Sequence, residues 1–110
     1  MIRSIAKRQG RKRSPHWEAA RAKHLRHESV CQACGGTQKL QVHHMRPFHL
    51  HPELELEDSN LITLCEKRSR DCHFHFGHFF NWSWFNPSVV EDAARFRQER
   101  EEARKRAMVQ

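Results

Sequence analysis

Apolar residues are scarce in this chain. Only 37% of its 110 residues are hydrophobic, while 30% carry formal charge. No run approaches the roughly 20 apolar residues that a membrane span requires, and the N-terminus, though basic, lacks the apolar stretch of a secretion signal. From these absences we expect a soluble, cytoplasmic protein with no membrane partner. The length suits one domain and excludes two independent cores. A compact globule of this size buries roughly two thirds of its unfolded surface, and so lean a composition needs a staple to reach that. A structural metal is one such staple for small domains. Four cysteines and ten histidines are the candidates. In a reducing compartment the cysteines are expected as thiolate ligands rather than as disulfides.

The net charge of +7 is unevenly spread. Residues 1–27 hold nine Lys and Arg against one acid, Glu18, whereas residues 28–66 hold two bases against six acids. Lys7, Arg8, Arg11, Lys12 and Arg13 therefore read as a flexible basic arm over residues 1–14, suited to neutralising phosphates without reading sequence. The alternative is a solubilising tail that touches nothing.

Ser14-Pro15 reads as a helix N-cap with proline at the first helical position, opening a basic helix to about Glu28. Gln38 to His43 alternates polar and apolar residues like a short strand. A proline-punctuated acidic loop follows from Met45 to Ser59, and Asn60 to Cys65 is an apolar run that periodicity leaves open between strand and helical turn. The first half of Asp71–Trp84 reads as a helix, and a charged helix is expected over residues 87–108. Residues 15–110 form the expected domain, with its core in residues 31–80.

Cys31-x2-Cys34 has the form of a zinc knuckle, and the Gly35-Gly36 pair after it lets backbone amides approach the sulfurs. Cys65 and Cys72 supply a second pair, 31 residues after Cys34 in the case of Cys65. Four thiolates on one structural zinc leave no open coordination position, so such an ion would hold the fold and do no chemistry.

Seven of the ten histidines fall between residues 43 and 78. His43 and His44 end the expected strand, where successive side chains face opposite ways, so one can turn toward a metal while the other faces a different part of a cleft. On an α-helix, residues five apart diverge by about 140°. His78 is thus expected to share an ion with His73 only if the helix is distorted or ends near Gly77. His49 and His51 read as surface residues, and His16, His24 and His27 as parts of the basic helix. Phe74, Phe76, Phe79, Phe80, Trp82, Trp84 and Phe85 are expected to pack the core rather than to stack on bases. Arg46, beside the histidine pair, is a candidate phosphate contact.

In this order, Cys31-x2-Cys34, Val42-His43-His44-x2-Pro47, Asn60-Leu61-Ile62-Thr63-Leu64-Cys65 and Cys72-His73-x4-His78 resemble the HNH endonuclease family, in its small zinc-stapled form common in phages and bacteria. The resemblance implies an α+β fold: a small ββα-metal core with a four-cysteine zinc site and flanking N- and C-terminal helices. It implies His43 and His73 as ligands of a catalytic divalent ion, with His78 as a third, His44 as general base, and Asn60 as the residue that holds the site in shape.

The chemistry is coherent on its own terms. Phosphodiester hydrolysis needs an activated water and relief of charge on the phosphate and the departing 3′ oxygen. A neutral imidazole with a pKa of about 6.5 can take the proton. A metal-dependent DNA endonuclease with little sequence preference is the leading expectation, using Mg2+, Mn2+ or another first-row ion. The alternatives are a non-catalytic zinc-stabilised nucleic-acid-binding module, or an accessory subunit among the protein partners of a phage DNA-packaging or recombination machine.

Overall fold

The computed structural model describes residues 13–109. Lys7, Arg8, Arg11 and Lys12 of the basic arm lie outside them. The first element among the described residues, α1, spans Trp17–His27, two residues later than Ser14-Pro15 suggested. Ser14 still caps its approach: the Ser14 hydroxyl accepts the His16 N–H (3.0 Å), and the Ser14 carbonyl accepts that of Trp17 (3.1 Å). Only His24 of this helix is buried.

Strands β1 (Leu40–His44) and β2 (Leu61–Cys65) pair antiparallel, with His43 opposite Ile62 and Leu40 opposite Cys65. The apolar run is therefore a strand. Every residue of β2 is buried, as expected of a strand covered on both faces. The loop joining them carries two short 3-10 turns, Pro52–Leu54 and Asp58–Asn60. Its ends are tied: Met45 N–H donates to the Asn60 carbonyl (2.8 Å).

The segment after Cys72 is where expectation and structure part. Instead of an α-helix it is a single π turn, His73–Gly77, after which Phe79 and Phe80 adopt positive φ (51° and 63°) and the chain turns away. Residues in that left-handed region are uncommon unless they are glycine. Helix α2 (Val89–Val109) is the last element among the described residues. It packs on the core through Val89 and Ala93, while Phe96 meets Phe76 at 5.0 Å between ring centroids. Asn86 clamps this junction. Its side-chain amide donates to the Phe76 carbonyl and to Asp92 (2.9 Å each), and its backbone N–H donates to the Gly77 carbonyl (3.1 Å).

The core is small: Cys31, Ala33, Ile62, Leu64, Cys65, Cys72, Val89 and Ala93. The expectation that the aromatic segment fills it is corrected. Phe79, Phe80, Trp82 and Trp84 are all exposed, Phe80 by 61% and Trp84 by 56%. The reason is the tight chain reversal after the π turn, which carries them outward past the sheet; Phe76 alone of that segment packs against the buried cluster. The result is an α+β domain: a two-stranded sheet, the π turn and α2, with four cysteines gathered at its centre.

Candidate functional site

Two clusters of metal-ligating side chains include residues of the sheet, one of sulfur and one of nitrogen. Cys31, Cys34, Cys65 and Cys72 bring their sulfurs within 4.8 Å of one another. Cys31, Cys65 and Cys72 are fully buried. Gly35 takes φ +77°, which lets the knuckle close, and backbone N–H groups of Cys34 and Gly36 donate to the sulfurs of Cys31 and Cys34 (3.4 Å each). A hydrogen bond from Cys72 lowers the Cys31 thiol, whereas the neighbouring thiolate and burial push Cys72 up. Four thiols so close ionise together only around a cation, and four sulfurs with amide donors are the donor set of a structural zinc. The cluster is compatible with that ion.

The nitrogen cluster is His43, His73 and His78. Their ring centroids form a near-equilateral triangle with sides of 5.0, 4.9 and 4.9 Å. The π turn produces this. Its i→i+5 closure returns residue i+5 to the face of residue i, so His73 and His78 meet although they would diverge on an α-helix. The turn is thus the distorted helix, ending at Gly77, under which His78 is expected to come within reach of His73. Gly77 makes room: a Cβ built there would lie 3.0 Å from His43 Cε1, so any larger side chain would displace the ring.

Outer hydrogen bonds fix two of the three rings. His73 Nδ1–H donates to the Glu66 carboxylate (2.8 Å) and His78 Nδ1–H to the Trp84 carbonyl (2.7 Å). Both acceptors lack a proton to give, so Nε2 of each ring is the nitrogen through which it would coordinate. His73 Nε2 lies 3.1 Å from His43 Nδ1. His43 Nε2 is buried without a hydrogen-bond partner, and burial, reinforced by the surrounding imidazoles, holds His43 well below the ordinary histidine pKa. Imidazoles oriented from outside by a carboxylate and a carbonyl fit a metal centre.

His44 faces the other way from β1. Its Nε2–H donates to the Glu55 carbonyl (2.9 Å) and its ring stacks at 4.6 Å on Trp17. Burial lowers its pKa, and Arg13 adds to the lowering against the opposing pull of Glu55. The two histidines nevertheless line one cleft of about 490 Å³, together with Arg13, His49, His73, His78, Trp82 and Trp84. Asn60 is buried and works on the backbone. Its Oδ1 accepts the Arg46 N–H (2.8 Å), and its Nδ2 donates to the carbonyls of Arg46 (3.1 Å) and Leu54 (3.4 Å).

The model of the HNH endonuclease family matches residues 31–77. Those residues are an HNH endonuclease domain. No curated protein and no solved structure matches the chain. Membership of the HNH family implies nuclease activity, and HNH nucleases act on nucleic acids and usually use a divalent metal. The HNH match begins at Cys31 and ends at Gly77, so it takes in the four cysteines, His43, His44, Asn60 and His73 and stops one residue before His78. No helix among the described residues is long and apolar enough to cross a membrane.

Several supports of the HNH site escape the sequence. Glu55, on the acidic loop, is buried. Its carboxylate accepts the Ser14 N–H (3.1 and 3.2 Å) and lies 3.8 Å from Arg13, drawing the N-terminal segment over the cleft. His49, read as a surface residue, lines the cleft with Nε2 buried and unpartnered, and burial lowers its pKa. Glu66 carried no signal, since its role depends on meeting His73 in space. His51 remains peripheral, paired with Glu53 at 3.2 Å. Arg13 is exposed and sits over the Trp17 and Phe48 rings, and Arg46 is exposed.

Proposed function

We propose that the protein is a metal-dependent DNA endonuclease that hydrolyses phosphodiester bonds in the cleft bordered by β1 and the π turn. The observation that carries this reading is the convergence of His43, His73 and His78 on one point of the wall that His44 also lines. His43, His73 and His78 would hold a divalent ion, which when bound supplies positive charge to the phosphate oxygens and the departing 3′ oxygen. The cysteine centre is read as a structural zinc, closed to substrate.

His44 acts as the general base. Its Nε2–H is committed to the Glu55 carbonyl, which leaves Nδ1 to take a proton from water. The water oxygen bonds to phosphorus, the bond from phosphorus to the 3′ oxygen breaks, and that oxygen is protonated from solvent. A lowered pKa keeps His44 neutral, and so able to accept, at physiological pH. Trp17 and the Glu55 carbonyl hold its ring in place. Asn60 is a positioning residue, because its amide pins the loop that begins directly after the histidine pair.

DNA contact is assigned to the basic segment Lys7, Arg8, Arg11, Lys12 and Arg13, and to Arg46, through phosphates and largely without sequence preference. Trp82 and Trp84, turned out at the cleft instead of into the core, are placed to stack on bases. The donor set narrows the metal. Imidazole nitrogens suit first-row transition ions better than Mg2+, which prefers oxygen ligands.

Supercoiled plasmid tests the proposal. Purified protein with Mn2+, Co2+ or Ni2+ is expected to convert it to nicked and linear forms, more slowly with Mg2+ and not at all with excess EDTA. Folded protein that binds the plasmid but cuts with none of these ions would instead be a non-catalytic zinc module.

A further inference from the structure

Away from the cleft, the end of α1 meets the Asp58–Asn60 turn in a second group of nitrogen and oxygen donors. His24 is only 2% exposed. Its Nε2 lies 2.6 Å from Glu28 Oε2 and its Nδ1 2.9 Å from Asp58 Oδ1. His27 Nε2 lies 2.9 Å from that same Asp58 oxygen. Glu28 Oε2 also accepts the Thr63 N–H (2.9 Å), so it serves as an acceptor and His24 must give it the Nε2 proton. A neutral imidazole has one N–H. Its Nδ1 then points a lone pair at a carboxylate oxygen, a repulsive contact unless a positive charge lies between them.

Two species satisfy this: a second proton on His24, or a metal ion. The surroundings favour the ion. Glu28 and His24 form the carboxylate–imidazole contact that orients metal-bound histidines. His27 brings a second nitrogen to the same oxygen, a convergence that protonating His24 does not require. The donor atoms of His24, His27 and Asp58 all lie within 4.8 Å of one another. Asp58 and His27 are about half exposed (47% and 51%), so the far side of the ion would be open to water.

We infer that His24, His27 and Asp58 form a binding site for a first-row divalent ion, separate from both the cysteine and the cleft centres. Two imidazoles and one carboxylate, completed by water, are a donor set for zinc, cobalt or nickel. The site ties α1, which carries Trp17 against His44, to the turn that carries Asn60. Its occupancy therefore braces two supports of the cleft at once.

Nickel uptake, counted per chain by mass spectrometry after desalting and followed by calorimetry, tests this without relying on cleavage. The proteins compared are wild type, His27→Ala, and His73→Ala/His78→Ala, each with its zinc content measured alongside. His27 is half exposed, so its replacement leaves the core intact. His27→Ala is expected to bind one nickel fewer than wild type and to lose part of the nickel-induced rise in melting temperature, while the double variant keeps that equivalent. If wild type and His27→Ala take up the same amount, the site does not exist and His24 is simply protonated. A failure of the cleft centre would show separately, as no loss of nickel in His73→Ala/His78→Ala.

Discussion

Replacing Cys72 with serine is expected to leave the protein unfolded at room temperature, with zinc lost and the far-ultraviolet helical signal reduced. Among the described residues Cys31, Cys65 and Cys72 make up a third of the nine buried hydrophobic ones, and the apolar remainder is Ala33, Leu61, Ile62, Leu64, Val89 and Ala93. So small a core depends on its staple. A structural zinc contributes about 10–16 kcal/mol of apparent binding free energy, as large as the whole net stability of a typical domain, about 5–15 kcal/mol. Cys72 also directly precedes the π turn, so losing its anchor releases His73 from its place. Circular dichroism with a zinc assay checks the outcome. A serine variant that stays folded and cooperative without zinc would show that the sulfurs pack merely as apolar groups.

Replacing His44 with alanine is expected to cost cleavage about 10²- to 10⁴-fold, the usual worth of a positioned general base, while zinc content and metal uptake in the cleft stay as in wild type. Some stability goes too. Truncation orphans the buried Glu55 carbonyl, which costs about 1–3 kcal/mol, and removes the imidazole against which the Trp17 ring packs. Rates are therefore compared below the melting transition of the variant, on supercoiled plasmid. A metal-ligand variant such as His73→Ala should differ in kind, losing cleft metal and activity together. If His44→Ala cut as fast as wild type, the base would have to be sought elsewhere, with His49 on the same cleft wall as the first candidate.

How far the sequence discloses this arrangement depends on whether a signal is local. Cys31-x2-Cys34 with its two glycines is a local motif, and the knuckle forms as its spacing requires. The opposite orientations of His43 and His44 follow from strand alternation alone. The apolar run from Leu61 to Cys65 and the charged run from Val89 both become the elements their patterns allow, within two residues at the helix start. The π turn is different. A helix that admits one extra residue per turn has no period that apolar spacing can advertise, so the sequence could name the distortion near Gly77 only as the condition for His78 to join His73 and could not show that it occurs. The aromatics misled for a related reason, since the sharp reversal at Phe79 and Phe80 needs positive φ at residues that rarely adopt it. Glu28, Glu55, Asp58 and Glu66 give no local signal of their roles, because each meets a partner at least seven residues away in sequence.

The most direct test of the two-centre account is anomalous diffraction from crystals of the protein soaked in Co2+, with data collected just above the cobalt edge and again above the zinc edge. The account predicts a cobalt peak bounded by the rings of His43, His73 and His78, and a zinc peak among Cys31, Cys34, Cys65 and Cys72. A histidine triangle with no cobalt peak, in crystals whose cleft is open to solvent, would contradict it.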